Sequence, residues 1–177
     1  MRLIFALLLL TSTVLADEWK VFSQPSPVYS AIPYDSGYVL ATGGGVQFST
    51  PRIKRLWTSA DGLGATSFLG IAQTDAKIFA VSEYGLVAAF DKKTSSWSIA
   101  NRSYLNKKVQ VVPGQVISKK NNLVIAFEDR LAFFDTDQSS FFLTIDKIGN
   151  TSLVTRSPQK ISIKDDSLFV LLGTEVY

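Results

Sequence analysis

From residue 28 onward, short apolar runs alternate with turns rich in Gly, Asp, Ser and Lys. Tyr38-Val39-Leu40-Ala41, Ile78-Phe79-Ala80-Val81, Leu123-Val124-Ile125-Ala126 and Leu168-Phe169-Val170-Leu171 are the clearest of these runs. Their length, β-branched content and flanking turns predict strands rather than helices. The pattern also repeats. Gly45-Val46, Gly85-Leu86, Arg130-Leu131 and Glu175-Val176 follow one another at 40, 45 and 45 residues. Trp19, Trp57, Trp97 and Phe141 keep step at 38, 40 and 44. Series that stay in register over the whole chain define an internal repeat.

Four strands in about 40 residues is the size of one β-propeller blade. The predicted fold is therefore all-β, a β-propeller of four-stranded antiparallel blades. About 3.5 to 4 blades are present, in repeat units near 18–57, 58–99, 100–145 and 146–177, with residues 17–177 as the propeller region. Lettered from the axis outward, the first unit has strands a to d at 28–33, 38–42, 46–48 and 53–57. The second has them at 68–73, 77–81, 86–90 and 97–99, and the third at 115–118, 123–127, 131–134 and 141–145. The fourth has a at 160–163 and b at 168–172, then two residues of c. Near-continuous apolar b strands are expected to be covered on both faces by neighbouring blades. Residues 101–114 match no repeat position and read as an extended loop.

The two ends bear on completeness. Glu18-Trp19-Lys20-Val21-Phe22 aligns with a d strand but precedes the first a strand. A last blade without its own outer strand leaves unpaired backbone groups at its edge. The favoured expectation is an incomplete propeller, open to edge-strand association. The alternative is a four-bladed ring closed by residues 19–22.

Residues 1–16 add a location. Met1-Arg2, an apolar run over 3–10, and Val14-Leu15-Ala16 have the order of a secretory signal peptide, with cleavage expected between Ala16 and Asp17. The run is too short to span a bilayer, which takes roughly 20 residues. Without the leader no membrane span remains, so the mature chain is expected in the periplasm or outside the cell.

Composition excludes more than it identifies. The chain has neither Cys nor His, which removes disulfides, Ser-His-Asp and Cys-His catalysis, and histidine-ligated zinc or haem. No cofactor and no metal is expected. Net charge is only +3, and Lys92-Lys93, Lys107-Lys108 and Lys119-Lys120 fall in predicted turns as solvated corners that blunt strand edges. Nucleic acid is not an expected partner. Asp135, Asp137, Asp165 and Asp166 lack the spacing of a calcium loop.

The run Leu56-Trp57-Thr58-Ser59-Ala60-Asp61-Gly62-Leu63, followed by Gly85-Leu86 and Phe90-Asp91, resembles the propeller repeats of bacterial two-component regulator sensors. The second unit carries the pattern well. The others lack Asp-Gly-Leu, and Phe79 stands where the family has Trp in strand b. A similar propeller occurs in secreted components of the type IX secretion machinery. The resemblance implies a non-enzymatic, extracytoplasmic sensing or docking module for a protein or saccharide partner. A scaffold of a secretion or surface-attachment system is one alternative. A propeller enzyme, such as a polysaccharide lyase or a quinone-dependent dehydrogenase, is the other.

Four residues stand out as candidate ligand contacts, with no catalytic residue among them. Asp61 and Gly62 lie on the connection between the first two units, the face on which such propellers usually bind ligands. Asp61 would offer a carboxylate, although Asp-Gly is equally the composition of a tight turn with Leu63 plugging the gap between blades. Trp57 and Trp97 would stack on a sugar ring, although their matched repeat positions also suit packing between blades. Gly43-Gly44-Gly45 precedes a strand rather than a helix, so it reads as a hairpin turn and not a phosphate loop.

Overall fold

The structure is a computed structural model that describes residues 27–102 and 108–177. Signal peptide, cleavage point and the expected d strand at 19–22 lie outside the described residues. Three four-stranded antiparallel sheets follow in chain order, each a simple meander. The first blade holds β1 (Val28–Tyr34), β2 (Gly37–Thr42), β3 (Gly45–Ser49) and β4 (Lys54–Trp57). The second holds β5 (Phe68–Gln73), β6 (Lys77–Ser82), β7 (Val87–Asp91) and β8 (Ser96–Asn101). The third holds β9 (Val111–Lys119), β10 (Asn122–Phe127), β11 (Arg130–Asp135) and β12 (Ser140–Ile145). After a two-stranded hairpin, β13 (Lys147–Ile148) and β14 (Thr151–Ser152), comes a fourth sheet of three strands: β15 (Lys160–Lys164), β16 (Ser167–Leu172) and β17 (Glu175–Val176). The fold is a partial β-propeller.

Side-chain alternation explains how the blades stack. Successive residues of a strand point to opposite faces. In β6, Ile78 and Ala80 join Val39, Phe48 and Phe90 in a core between the first two blades, whereas Phe79 and Val81 join Ile125 and Phe134 in the next core. In β10, Leu123, Ile125 and Phe127 face the second blade, and Val124 and Ala126 face Ile161, Val170 and Leu172 of the fourth. Both middle b strands are thus buried on both faces, which is why they read as unbroken apolar runs. A fully buried Phe, Leu or Ile contributes about 1.5–3 kcal/mol by leaving water. Three interblade cores of this kind are what hold the described residues together.

Two glycines mark close approaches. Gly45 sits at φ 139°, and a Cβ there would lie 2.0 Å from the Trp57 carbonyl oxygen on β4. Only glycine permits both the backbone angle and the contact. Gly70 has an ordinary φ, but its Cβ would meet Val116 Cγ2 at 2.1 Å, so the second and third blades touch at this point.

Three features differ from the sequence expectation. β9 starts at Val111, inside the stretch expected to be loop, because Val111 N–H donates to Glu83 O at 2.8 Å and ties the segment to the second blade. The β13–β14 hairpin was not expected; it carries fully buried Leu153 into the third core. Near the axis, the start of β1 packs across to β9, where a Cβ on Gly114 would stand 3.0 Å from Tyr29 O. Tyr29 itself packs against the core between blades two and three.

Candidate functional site

Trp57 ends β4, and the chain then makes one 3-10 turn at Ser59–Asp61 before Gly62 reverses it at φ 92°. This connection lies at the same end of the blades as the β2–β3 turn, because Val46 pairs with both Ala41 and Trp57. The Asp61 carboxylate is committed within it. One oxygen accepts from Thr58 N–H at 2.8 Å and the Thr58 hydroxyl at 3.0 Å, and the other from Arg55 Nη2 at 2.6 Å. Partial burial pushes the Asp61 pKa up. The Thr58 N–H, the Arg55 guanidinium and the Thr58 hydroxyl outweigh that push and hold it below its ordinary value. Since Arg55 belongs to the outermost strand, the carboxylate sits at the rim of the blade. Leu63, two residues on, is fully buried in the core between the first two blades.

Trp57 and Trp97 pack against that same core. Phe90 lies between them, 6.4 Å from the Trp57 ring and 5.4 Å from Trp97, and Phe48 completes the cluster at 4.8 Å from Phe90. The Arg55 guanidinium carbon lies 3.8 Å above the Trp57 ring centroid, a cation–π contact that occupies one ring face. Both indole N–H groups are buried, with no hydrogen-bond acceptor among the described residues. The structure therefore brings Asp61, Gly62 and Trp57 together around Arg55, and sets half-buried Trp97 apart from Arg55, against Phe90 and Phe48 of the same cluster.

A separate polar cleft opens at the other end of the blades, between the β5–β6 and β9–β10 turns. Its volume is about 430 Å³, and Gln73, Asp75, Lys77, Ser118, Lys120, Asn121 and Asp137 are among the residues lining it. Ser118 Oγ donates to Gln73 O at 2.6 Å, joining the two turns, and Asn121 Nδ2 donates to Asp137 Oδ2 at 2.7 Å. Lys92 braces the wall from behind by donating to Gln73 Oε1 at 3.0 Å and Thr74 O at 2.7 Å. Burial lowers the Lys92 pKa, and nearby Asp75 works in the opposite sense. The cleft offers carboxylates, ammonium groups and hydroxyls within one concavity. Nothing in the linear sequence joins Asp75 to Lys120; only their shared a–b turn position in successive repeats would have signalled it.

Other acidic groups serve the turns. Asp91 Oδ1 accepts from Lys93 and Thr94 N–H at 2.8 and 2.9 Å, and those bonds lower its pKa. Asp135 Oδ1 accepts hydrogen bonds from Asp137 and Gln138 N–H, both at 2.8 Å, at the equivalent turn of the third blade. Such loops are side-chain mimics of a backbone turn. Among the described residues no group of three or more acidic side chains is placed to hold a metal ion. No helix among them is long and apolar enough to cross a membrane.

No family model matches the sequence, and no curated protein matches it either. Solved structures do resemble the fold. PorZ, described as an essential bacterial surface component of the type-IX secretion system of Porphyromonas gingivalis, aligns with a TM-score of 0.64 and 12% identity over 89% of this chain and 21% of its own. The extracellular domain of the putative one component system BT4673 from B. thetaiotaomicron aligns at 0.60 and 11% identity, over 90% and 23%. The C-terminal WD40 domain of Sif2 aligns at 0.58 and 12%, over 88% and 46%. The chain thus spans about a fifth of the two bacterial proteins. At these identities the likeness establishes the fold.

Proposed function

We propose that this chain is an extracytoplasmic, non-enzymatic propeller module that recognises a protein or glycan partner through its turn ends. The polar cleft between the β5–β6 and β9–β10 turns carries the reading. It gathers hydrogen-bonding groups of both signs from two blades on a scaffold whose strands are occupied with packing. Such a surface suits hydroxyls, amides and carboxylates of a partner. Asp61, Gly62, Trp57 and Trp97 are proposed as a secondary contact at the opposite end, where a ligand would have to compete with Arg55 for the ring and the carboxylate. Extracytoplasmic placement is supported by the leader-like residues 1–16, and by the surface and extracellular settings in which PorZ and the BT4673 domain are described.

A sensor input domain of the two-component regulator type is the finer form of this proposal. A scaffold part of a secretion system is the second reading, favoured by the likeness to PorZ. The experiment has two arms. Mass spectrometry of protein exported by a bacterial host should find Asp17 as the first residue; a chain retaining residues 1–16 would remove the extracytoplasmic placement. Oligosaccharides and peptides of graded charge are then titrated against wild type and Asp75→Asn/Lys120→Gln protein by calorimetry. Binding weakened by the double substitution, with the oligosaccharide chemically unchanged, is the expected result. Accumulation of shortened or unsaturated sugar products would make the protein an enzyme instead.

A further inference from the structure

The polar cleft between the β5–β6 and β9–β10 turns is walled by the second and third blades, each a four-stranded sheet with a neighbour packed on both faces. Its neutral side chains are already engaged. Gln73 donates from Nε2 to Pro33 O at 3.1 Å, and its Oε1 accepts from Lys92 at 3.0 Å. Ser118 Oγ donates to Gln73 O at 2.6 Å, and Thr136 Oγ1 to Asn121 O at 2.9 Å. Thr74 Oγ1 accepts from Lys77 N–H at 3.2 Å, and Asn121 Nδ2 donates to Asp137 Oδ2 at 2.7 Å. These bonds tie the turns together and leave few neutral groups for a ligand.

The charged side chains are in the opposite condition. Asp75 and Lys77 come from the second blade, Lys120 and Asp137 from the third, so each wall carries one acid and one base. Among the described residues no hydrogen bond or ion pair engages the side chain of Asp75, Lys77 or Lys120, and Asn121 takes only one Asp137 oxygen. The Asp75 charge acts on Lys92 and the Lys77 charge on Asp91, but both of those lie where β7 turns into β8 and neither lines the cleft. Opposite charges held apart in one concavity leave both signs open to a ligand. A ligand of one sign would meet repulsion from half of them.

We propose, resting on the reading of this cleft as the partner-binding surface, that its occupant is a protein segment presenting both a carboxylate and a basic side chain, and not a glycan. The carboxylate pairs with Lys77 and Lys120, and the cation with Asp75 and Asp137. A neutral sugar offers apolar ring faces and hydroxyls, which aromatic side chains and unengaged neutral groups bind best. No aromatic side chain is among the residues described as lining the cleft, and its neutral groups are spent on the turns. An acidic glycan would satisfy the two lysines and set its remaining charge against Asp75 and Asp137. A peptide with both signs of side chain satisfies both walls.

Proton–nitrogen correlation spectra of the exported protein, titrated with five probes, test the proposal. Three are capped peptides of Gly and Ser carrying both Glu and Lys, Glu alone, or Lys alone; the others are a neutral and a uronate oligosaccharide. The mixed peptide should move the amide signals of Asp75, Lys77, Lys120 and Asp137, and bind roughly tenfold more tightly than either single-sign peptide. Charge reversal should then redirect the preference. K120E should weaken the mixed peptide by roughly tenfold and strengthen the Lys peptide, whereas D75K should strengthen the Glu peptide instead. A merely structural role would not shift the two variants in opposite directions. Both residues are exposed in turns, and melting followed by circular dichroism verifies that each variant folds. A single-sign peptide that binds as tightly as the mixed one, or variants that keep the wild-type preference, would overturn the proposal. An oligosaccharide that moves these signals at lower concentration than the mixed peptide would overturn it too, while leaving the cleft as the contact surface. If no probe moves them, both the proposal and that reading of the cleft fall.

Discussion

Phe90 offers the sharpest test of the blade stacking. It is fully buried in β7 and touches three aromatic rings from both blades, with centroids 4.8 Å away at Phe48, 5.4 Å at Trp97 and 6.4 Å at Trp57. Truncating a buried Phe to Ala costs about 3–5 kcal/mol, from lost transfer energy and the cavity left behind. The upper half of that range is expected here. Each aromatic pair adds about 0.5–1.5 kcal/mol beyond its buried area, and Val39, Ile78 and Leu86 around the site are themselves fully buried and have little room to collapse. Phe142 supplies the matched control. It is the same residue type on an outer strand, 56% exposed, with one ring contact to Phe133 at 6.2 Å. Phe142→Ala should stay within about 1 kcal/mol of wild type, the range of a surface substitution with one weak partner. Urea denaturation followed by circular dichroism reads the difference as a shift in midpoint at unchanged slope. Phe90→Leu should recover most of the loss by refilling the cavity, but not the ring contacts. Equal midpoints for Phe90→Ala and Phe142→Ala would refute the placement of β7 between two blades.

Two further outcomes follow from the turns. Gly45→Ala should destabilise by about 1–3 kcal/mol, because the backbone there sits at φ 139° and the added methyl would collide with the Trp57 carbonyl; an unchanged urea midpoint would show that β3 and β4 do not approach so closely. Asp61 has its folded pKa held below the unfolded value, so its stabilising effect is present above the ordinary value of 3.8 and fades as pH falls through the lower folded pKa. Asp61→Asn should therefore lower the melting temperature near neutral pH and converge on wild type in acid, and a gap that persists at pH 2 would count against the Arg55 and Thr58 bonds as its source.

Most strands could be read from sequence through the repeat, β2 and β16 among them although each contributes to one interblade core among the described residues. In β6 and β10, Ile78 to Val81 and Leu123 to Ala126 are apolar at every position and are buried between sheets on both sides. β9 was placed four residues late because Val111 enters the sheet through a bond to the neighbouring blade's Glu83, a contact with no periodicity to announce it. The β13–β14 hairpin escaped for a related reason: two-residue strands carry no pattern, and the burial of Leu153 is decided by where the fourth blade lands. At the candidate site, Asp61-Gly62 was legible as turn composition. That Arg55 would cover both the carboxylate and the Trp57 ring was not, since it depends on the direction β4 takes into the turn. The cleft between the second and third blades was invisible in sequence because its walls are about 45 residues apart.

The crossing of β1 onto β9 changes how the molecule should come apart. In a linear array of repeats each unit answers only to its neighbours, so an end unit can peel away and leave the others intact. Here Tyr29 reaches past the second blade into the core that the second and third share, and its carbonyl lies against Gly114. Detaching the first blade would therefore uncover part of a core to which its sheet does not belong. An end unit tied in this way has no separate melting step. Loss of the first strand and opening of the third blade should be one event, and the unfolding unit is larger than the repeat.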